Sequence, residues 1–214
     1  MTSTAQPFAR LERAALADLL DDVGPDAPTL CAGWTTYDLA AHLVVRERRP
    51  DATAGIVLPP LARWTGIVQG RAKRAPYPQL VDKVRGGPPA LSPFALPGAD
   101  SAANTIELFV HHEDVRRAAP GWVPRELPAE RQDELWARLR RGGRMLFRRA
   151  GVGVELRRPG GESVTARGGP ATVTVTGEPA ELLLYAVGRR DHALVELSGE
   201  PADVERLAGA ALGI

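Results

Sequence analysis

One cysteine, Cys31, is all that the 214 residues contain, so no disulfide can form within the chain and no four-thiolate zinc site can be built from it. A reducing cytoplasm suits such a protein. Lysine is scarce too, Lys73 and Lys83 standing among arginines, a bias of genome composition more than of function. No run approaches the roughly eighteen or more consecutive apolar residues of a membrane helix, and Met1 to Phe8 lacks a charged segment followed by an apolar core. Charge of one sign is missing as well: the net charge is +1, divided as +4 over the first 150 residues and −3 over the rest, which is not the footprint of a nucleic-acid partner. These absences lead to the expectation of a soluble, cytoplasmic protein with neither membrane nor nucleic acid among its partners.

What is present is a core: 44% of the residues are hydrophobic, enough for one large domain or for a main domain with a smaller appendage. Phe8 to Leu20 repeats apolar residues at three- and four-residue spacing and reads as an amphipathic helix. After the break at Gly24-Pro25-Asp26-Ala27-Pro28, the loop Thr29 to Trp34 leads to Thr35-Thr36-Tyr37-Asp38, where a threonine can cap and an acid favours the first turn. The second helix carries His42 and ends at Pro50. Short helices are expected around Leu61 to Arg71 and Gln79 to Val84, then a helix capped by Asp100-Ser101 and running to Ala119. Pro128 to Arg149 places acids early and arginines late, as the helix dipole favours, with Gly142-Gly143 marking a kink or a close contact. Beyond Gly151 the pattern alternates, giving strands at Val152 to Leu156, Ala171 to Thr176 and Ala193 to Leu197, with helices at Pro179 to Val187 and Pro201 to Leu212. The domain boundary is accordingly placed near residue 150, dividing the chain into 1–150 and 151–214.

Glu107 and His111, four residues apart, share one helix face within the most apolar run in the middle of the chain. With His42 they offer a metal two imidazole nitrogens and one carboxylate oxygen, leaving a position for water or substrate, as in a catalytic site. Asp38 and Asp114, four residues before His42 and three after His111, can each accept the second ring N–H of its histidine. Arg46 and Arg49 share the face of His42, where a guanidinium can clamp a substrate carboxylate or pair with Glu107. Plainer readings stand beside these. Asp38 reads equally as a first-turn acid, and Glu107 with His111 as a buried hydrogen-bonded pair without metal. His112, turned about 100° from His111, reads as a surface or interhelical residue. His192 reads as a solvated loop residue, and the arginines at 138–149 as a solvated helix face. Cys31 reads as a small buried apolar residue, since nothing local supplies a base for it. Trp34, Trp64 and Phe109 either line a pocket or fill the core.

The run Cys31-Ala32-Gly33-Trp34-Thr35-Thr36-Tyr37-Asp38-Leu39-Ala40-Ala41-His42-Leu43, followed by Glu107-x-x-x-His111, resembles the DinB-like metal-dependent superfamily in its mycothiol-dependent maleylpyruvate isomerase branch, common in actinobacteria. The stretches Gly177 to Arg189 and Val195 to Gly199 are similar to the small C-terminal domain of that branch. The resemblance implies an α+β protein: an N-terminal DinB-like four-helix bundle, up-down-down-up, with a small C-terminal α/β domain. It implies a divalent metal, Zn2+ before Ni2+ or Fe2+, held by His42, Glu107 and His111, and the residues read above as substrate-binding candidates are Trp34, Arg46 and Arg49. It implies mycothiol or a similar low-molecular-weight thiol as cofactor or co-substrate, and isomerase or S-transferase chemistry on a small electrophilic molecule, in a monomer or homodimer. In such an isomerase the thiol adds to a double bond, the bond rotates and the thiol leaves. Val45 to Ala52 looks instead like a feature of an uncharacterised metal-binding subgroup, which leaves the substrate open. The competing expectation is a non-catalytic metal- or ligand-binding module that engages a protein partner.

Overall fold

The computed structural model describes residues 8–49, 51–52, 62–89 and 99–213, and gives no side chains for 62 and 99–103. Pro50, expected to end the second helix, and Leu61, expected to begin a short one, lie outside the described residues. The chain divides into two compact units, residues 1–123 and 124–214. No helix among the described residues is long and apolar enough to cross a membrane.

The first unit is helical: α1 (Phe8–Val23), α2 (Thr36–Arg48), α3 (Ala62–Ala72), α4 (Tyr77–Gly86) and α5 (Ala99–Arg116). The expected repeat of α1 sends Phe8, Ala9, Leu16, Ala17 and Leu20 inward. Ala9, Leu16, Ala17 and Leu20 meet Leu39, Ala40 and Leu43 of α2, Leu80, Val81 and Val84 of α4, and Leu108 and Val115 of α5 in one core. The start of α2 is held as its sequence suggests. Thr35, extended at φ −88° and ψ 173°, is the N-cap, and its backbone N–H donates to the Asp38 carboxylate at 3.2 Å. Asp100 and Ser101, expected to cap α5, fall inside it, and α5 stops at Arg116.

Buried charge ties three of these helices together. Arg13 of α1 donates twice to Glu47 of α2, at 2.9 and 2.6 Å, and Asn104 of α5 donates to the same carboxylate at 3.1 Å. His112 of α5 is interhelical, its Nδ1 lying 2.9 Å from Glu12 of α1. Each group is removed from water and must be paired to be tolerated there.

The second unit holds α6 (Ala129–Leu146), a four-stranded sheet of β1 (Gly153–Arg157), β2 (Ser163–Arg167), β3 (Thr172–Thr176) and β4 (Glu196–Ser198), and the helices α7 (Pro179–Ala186) and α8 (Pro201–Gly209). The expected α+β class is thus what the chain adopts. The sheet order is β2-β1-β3-β4, with β1 parallel to β3 and the outer pairs antiparallel. The helix α6, read from the sequence as part of residues 1–150, is grouped in this unit, where the Gln132 side chain accepts from the Ala180 N–H at 3.0 Å. Gly143 explains the glycine pair: a Cβ there would stand 3.4 Å from that of Ala166, so the helix backbone lies close on β2. The strand β2 has no counterpart in the sequence reading, because Ala166 is its one buried residue and no apolar alternation marks it. Of the arginines of α6, Arg138 pairs with Glu134 where both are part-buried, and Arg140 pairs with Glu162 at the surface.

Candidate metal centre

The site is assembled from α2, α5 and the loop before α2. His42 Nε2 lies 3.1 Å and His111 Nε2 3.2 Å from the same oxygen, Glu107 Oε1. The two imidazoles face each other edge to plane, their centroids 5.3 Å apart. Glu107 and His111 stack one turn apart on α5, and one ligand atom from each of the three residues lies within 4.8 Å of the others. Both histidines are 7% exposed, so the donors are fixed by surrounding core.

Neighbouring side chains orient this trio. Asp114, wholly buried, accepts from His111 Nδ1 at 2.9 Å and so presents Nε2 toward Glu107. The Trp34 ring lies 5.0 Å from that of His42. Arg46, one turn beyond His42, places Nε 3.3 Å from Glu107 Oε1 and donates through Nη1 to Asn104. The arginine thereby links the trio to the buried Arg13–Glu47 pair.

Asp38 and Arg49 are placed elsewhere. The Asp38 carboxylate accepts from the Thr35 N–H and from Lys73 Nζ at 2.6 Å, and does not hold His42. Burial alone would raise its pKa, but the hydrogen bonds from Lys73 and Thr35 outweigh it and lower it. The expected ring-orienting role is overturned because capping and the Lys73 ammonium already use the carboxylate. Asp38→Ala is expected to cost on the order of 1 kcal/mol of stability while leaving metal content unchanged, as urea unfolding and elemental analysis would report. Arg49 turns to the exposed Asp51, meeting both oxygens at 2.8 Å. Trp64, on α3, is exposed and donates to Asp51 at 3.3 Å, and Phe109 is core against Phe8.

No family model matches the chain, and no curated protein matches it. Among solved structures it is similar to a mycothiol-dependent maleylpyruvate isomerase, with 19% identity, a TM-score of 0.60, and coverage of 90% of this chain and 91% of the other. The chain has the fold of that isomerase. A histidine-to-alanine mutant of the isomerase aligns comparably, at 17% identity and a TM-score of 0.58 over 88% of this chain and 90% of the mutant.

Cys31, which reads from the sequence as a small buried apolar residue, is placed beside polar partners. Its Sγ is 3.2 Å from Asp114 Oδ2 and 3.9 Å from His111 Nδ1, so a carboxylate and an imidazole stand beside a thiol that seemed to have neither. The partners are 83 and 80 residues away, beyond any local signal.

Protonation follows from these contacts. Burial lowers the His42 pKa, and the hydrogen bond to Glu107 does not compensate, so this ring is neutral. Burial pulls His111 the same way, but its bonds to Asp114, Cys31 and Glu107 win and push it well above the usual histidine value. Burial would raise Glu107, yet hydrogen bonds from His111 and His42 and the nearby His111 and Arg46 charges hold it well below the usual carboxylate range. Without metal, the trio is a carboxylate held by an imidazolium and a neutral imidazole. Metal must replace the His111 Nε2 proton, so zinc affinity is expected to rise by about tenfold per pH unit up to the raised His111 pKa and level off above it. Zinc titrations at several pH values check this, and a pH-independent affinity would contradict it. In metal-free protein, the stability from His111 is fully present below its unfolded pKa of about 6.5 and is lost as pH rises through the folded one. That from Glu107 is present above its ordinary value and is lost as pH falls through the depressed one.

Proposed function

We propose that the chain is a metal-dependent enzyme that uses mycothiol or a similar low-molecular-weight thiol to isomerise, or to transfer the thiol to, a small electrophilic molecule. The observation that carries this reading is the convergence of His42 and His111 on one Glu107 oxygen, at 3.1 and 3.2 Å, in a fold shared with a thiol-dependent isomerase. Two neutral nitrogens and a carboxylate are a donor set that suits Zn2+, with Ni2+ and Fe2+ also accommodated.

A metal bound there would supply Lewis-acid stabilisation of negative charge on the thiol or the substrate. The protein's own groups do the positioning. Asp114 fixes the His111 ring, and Arg46 holds Glu107 while keeping a guanidinium beside the trio, suited to an anionic substrate group. Trp34 packs against the His42 ring, 5.0 Å between centroids, and helps to hold its orientation. The mechanism of the first step is then a thiol brought as its anion against a double bond oriented by Arg46.

The experiment is thiol-dependent turnover of a panel of small electrophiles by metal-loaded protein, with isomerised and thiol-adduct products distinguished by mass. Turnover that needs both thiol and metal, and that Arg46→Ala slows, is the expected result. Turnover without thiol would overturn the reading. So would tight metal retention with no thiol dependence for any substrate, which is what a non-catalytic binding module predicts.

A further inference from the structure

His111 presents its two nitrogens to two different donor sets. Nε2 faces Glu107, while Nδ1 lies 2.9 Å from Asp114 Oδ2 and 3.9 Å from Cys31 Sγ, with Sγ and Oδ2 3.2 Å apart. We propose that Cys31, His111 Nδ1 and Asp114 form a second metal site for a thiophilic ion of the zinc and cadmium class, and that filling it withdraws His111 from the site with His42 and Glu107.

The spacing fits. Zinc bonds of about 2.3 Å to sulfur and about 2.0–2.1 Å to nitrogen and oxygen, at tetrahedral angles, set such donors roughly 3–4 Å apart. The three observed separations, 2.9, 3.2 and 3.9 Å, lie in or just below that range, and the ligand atoms all lie within 4.8 Å of one another. The site is also built rather than casual. Thr29 Oγ1 accepts from the Cys31 N–H at 3.2 Å and donates to the Trp34 carbonyl at 3.0 Å, and the Trp34 N–H donates to the Cys31 carbonyl at 2.9 Å. The Leu30 N–H donates to the Asp114 carbonyl at 3.0 Å, so the loop carrying the thiol is pinned to the residue carrying the carboxylate. Asp114 is wholly buried, and Cys31 is half-buried. Thiolate with imidazole selects soft or borderline ions over magnesium and calcium.

Exclusion between the sites follows from the imidazole itself. A neutral ring has one lone pair, so coordination through Nδ1 leaves the proton on Nε2, where Glu107 accepts it. The Cys31 thiol proton and the Nδ1 proton leave to solvent as the ion binds. The existence of the second site is independent of the function proposed above, while the competition rests on it.

The test uses the full chain and cadmium alone as probe, reading thiolate-to-metal charge-transfer absorption in the ultraviolet. The expected result for metal-free protein is a band that saturates near about one equivalent, disappears in Cys31→Ser, weakens severalfold in Asp114→Asn, and persists in His42→Ala. No band in the wild type, or one unchanged by Asp114→Asn, would overturn the site. For the competition, zinc-loaded protein is titrated with cadmium against a chromophoric zinc indicator. Zinc released from the wild type but retained by Cys31→Ser is expected, and equal release from both would overturn the exclusion. Because the cadmium band is read in His42→Ala as well, failure of the first centre cannot be mistaken for failure of the second.

Discussion

Replacing His42 with alanine is expected to empty the metal centre while leaving the bundle folded. In a Cys31→Ser background, which removes the second donor set, protein purified without a metal-affinity tag should carry about one equivalent of a transition metal, and the added His42→Ala or Glu107→Ala change should leave essentially none, with thiol-dependent turnover lost in parallel. The expectation rests on geometry. Glu107 Oε1 is the common partner of both histidines, so removing either His42 or the carboxylate leaves two donors, and two donors do not hold a metal against buffer. His42 lies on α2 against Trp34, and its loss leaves the imidazolium of His111 paired with Glu107 and Asp114, so circular dichroism should be unchanged. Elemental analysis of the three proteins decides the matter. Cys31→Ser protein that neither carries metal nor takes up zinc would mean that the trio is a hydrogen-bonded cluster, and the fold likeness would then be one of architecture alone.

Glu47→Ala is expected to destabilise the first unit by about 3–5 kcal/mol, the range for removing one partner of a buried ion pair. Glu47 is 3% exposed and is the acceptor for both nitrogens of Arg13 and for Asn104. Its removal takes the carboxylate from a guanidinium that is itself 5% exposed and also donates to the Val84 carbonyl at 3.1 Å. Urea unfolding followed by far-ultraviolet circular dichroism measures the loss. The double change Arg13→Met with Glu47→Leu should recover most of it, since a buried pair contributes little over apolar residues of similar volume. A loss below about 1 kcal/mol for the single variant would show that water reaches the pair. Asn104 also accepts from Arg46, so Glu47→Ala should slacken the guanidinium beside Glu107 and reduce turnover in any protein that remains folded.

Those two sites differ in how much of them the sequence disclosed. The pairing of Glu107 with His111 is written in four-residue spacing on one helix, and the same periodicity marks α1 and its buried face. Bringing His42 to them drew on the resemblance as well, and the structure supplies the distance. Asp38 shows where spacing misleads. It stands where a helical partner of His42 would stand, but the same position is the first turn of α2, and the cap and Lys73, 35 residues on, claim the carboxylate. Glu47 carried no signal at all, because its partner Arg13 is 34 residues away on another helix.

By itself the sequence determined the helical first part, the alternating second part, the single thiol and the donor types available to a metal. Only the tertiary structure decided which donors meet. It grouped α6 with the sheet, placed Arg46 on Glu107 and not Arg49, and set Cys31 against Asp114 and the far side of His111. The reason is physical. Periodicity reports which face of an element turns from water, a property of neighbours within a few residues. Contacts across 58 to 83 residues, such as Arg46 with Asn104 and Cys31 with Asp114, follow from how those faces pack, and packing is settled by the whole core at once.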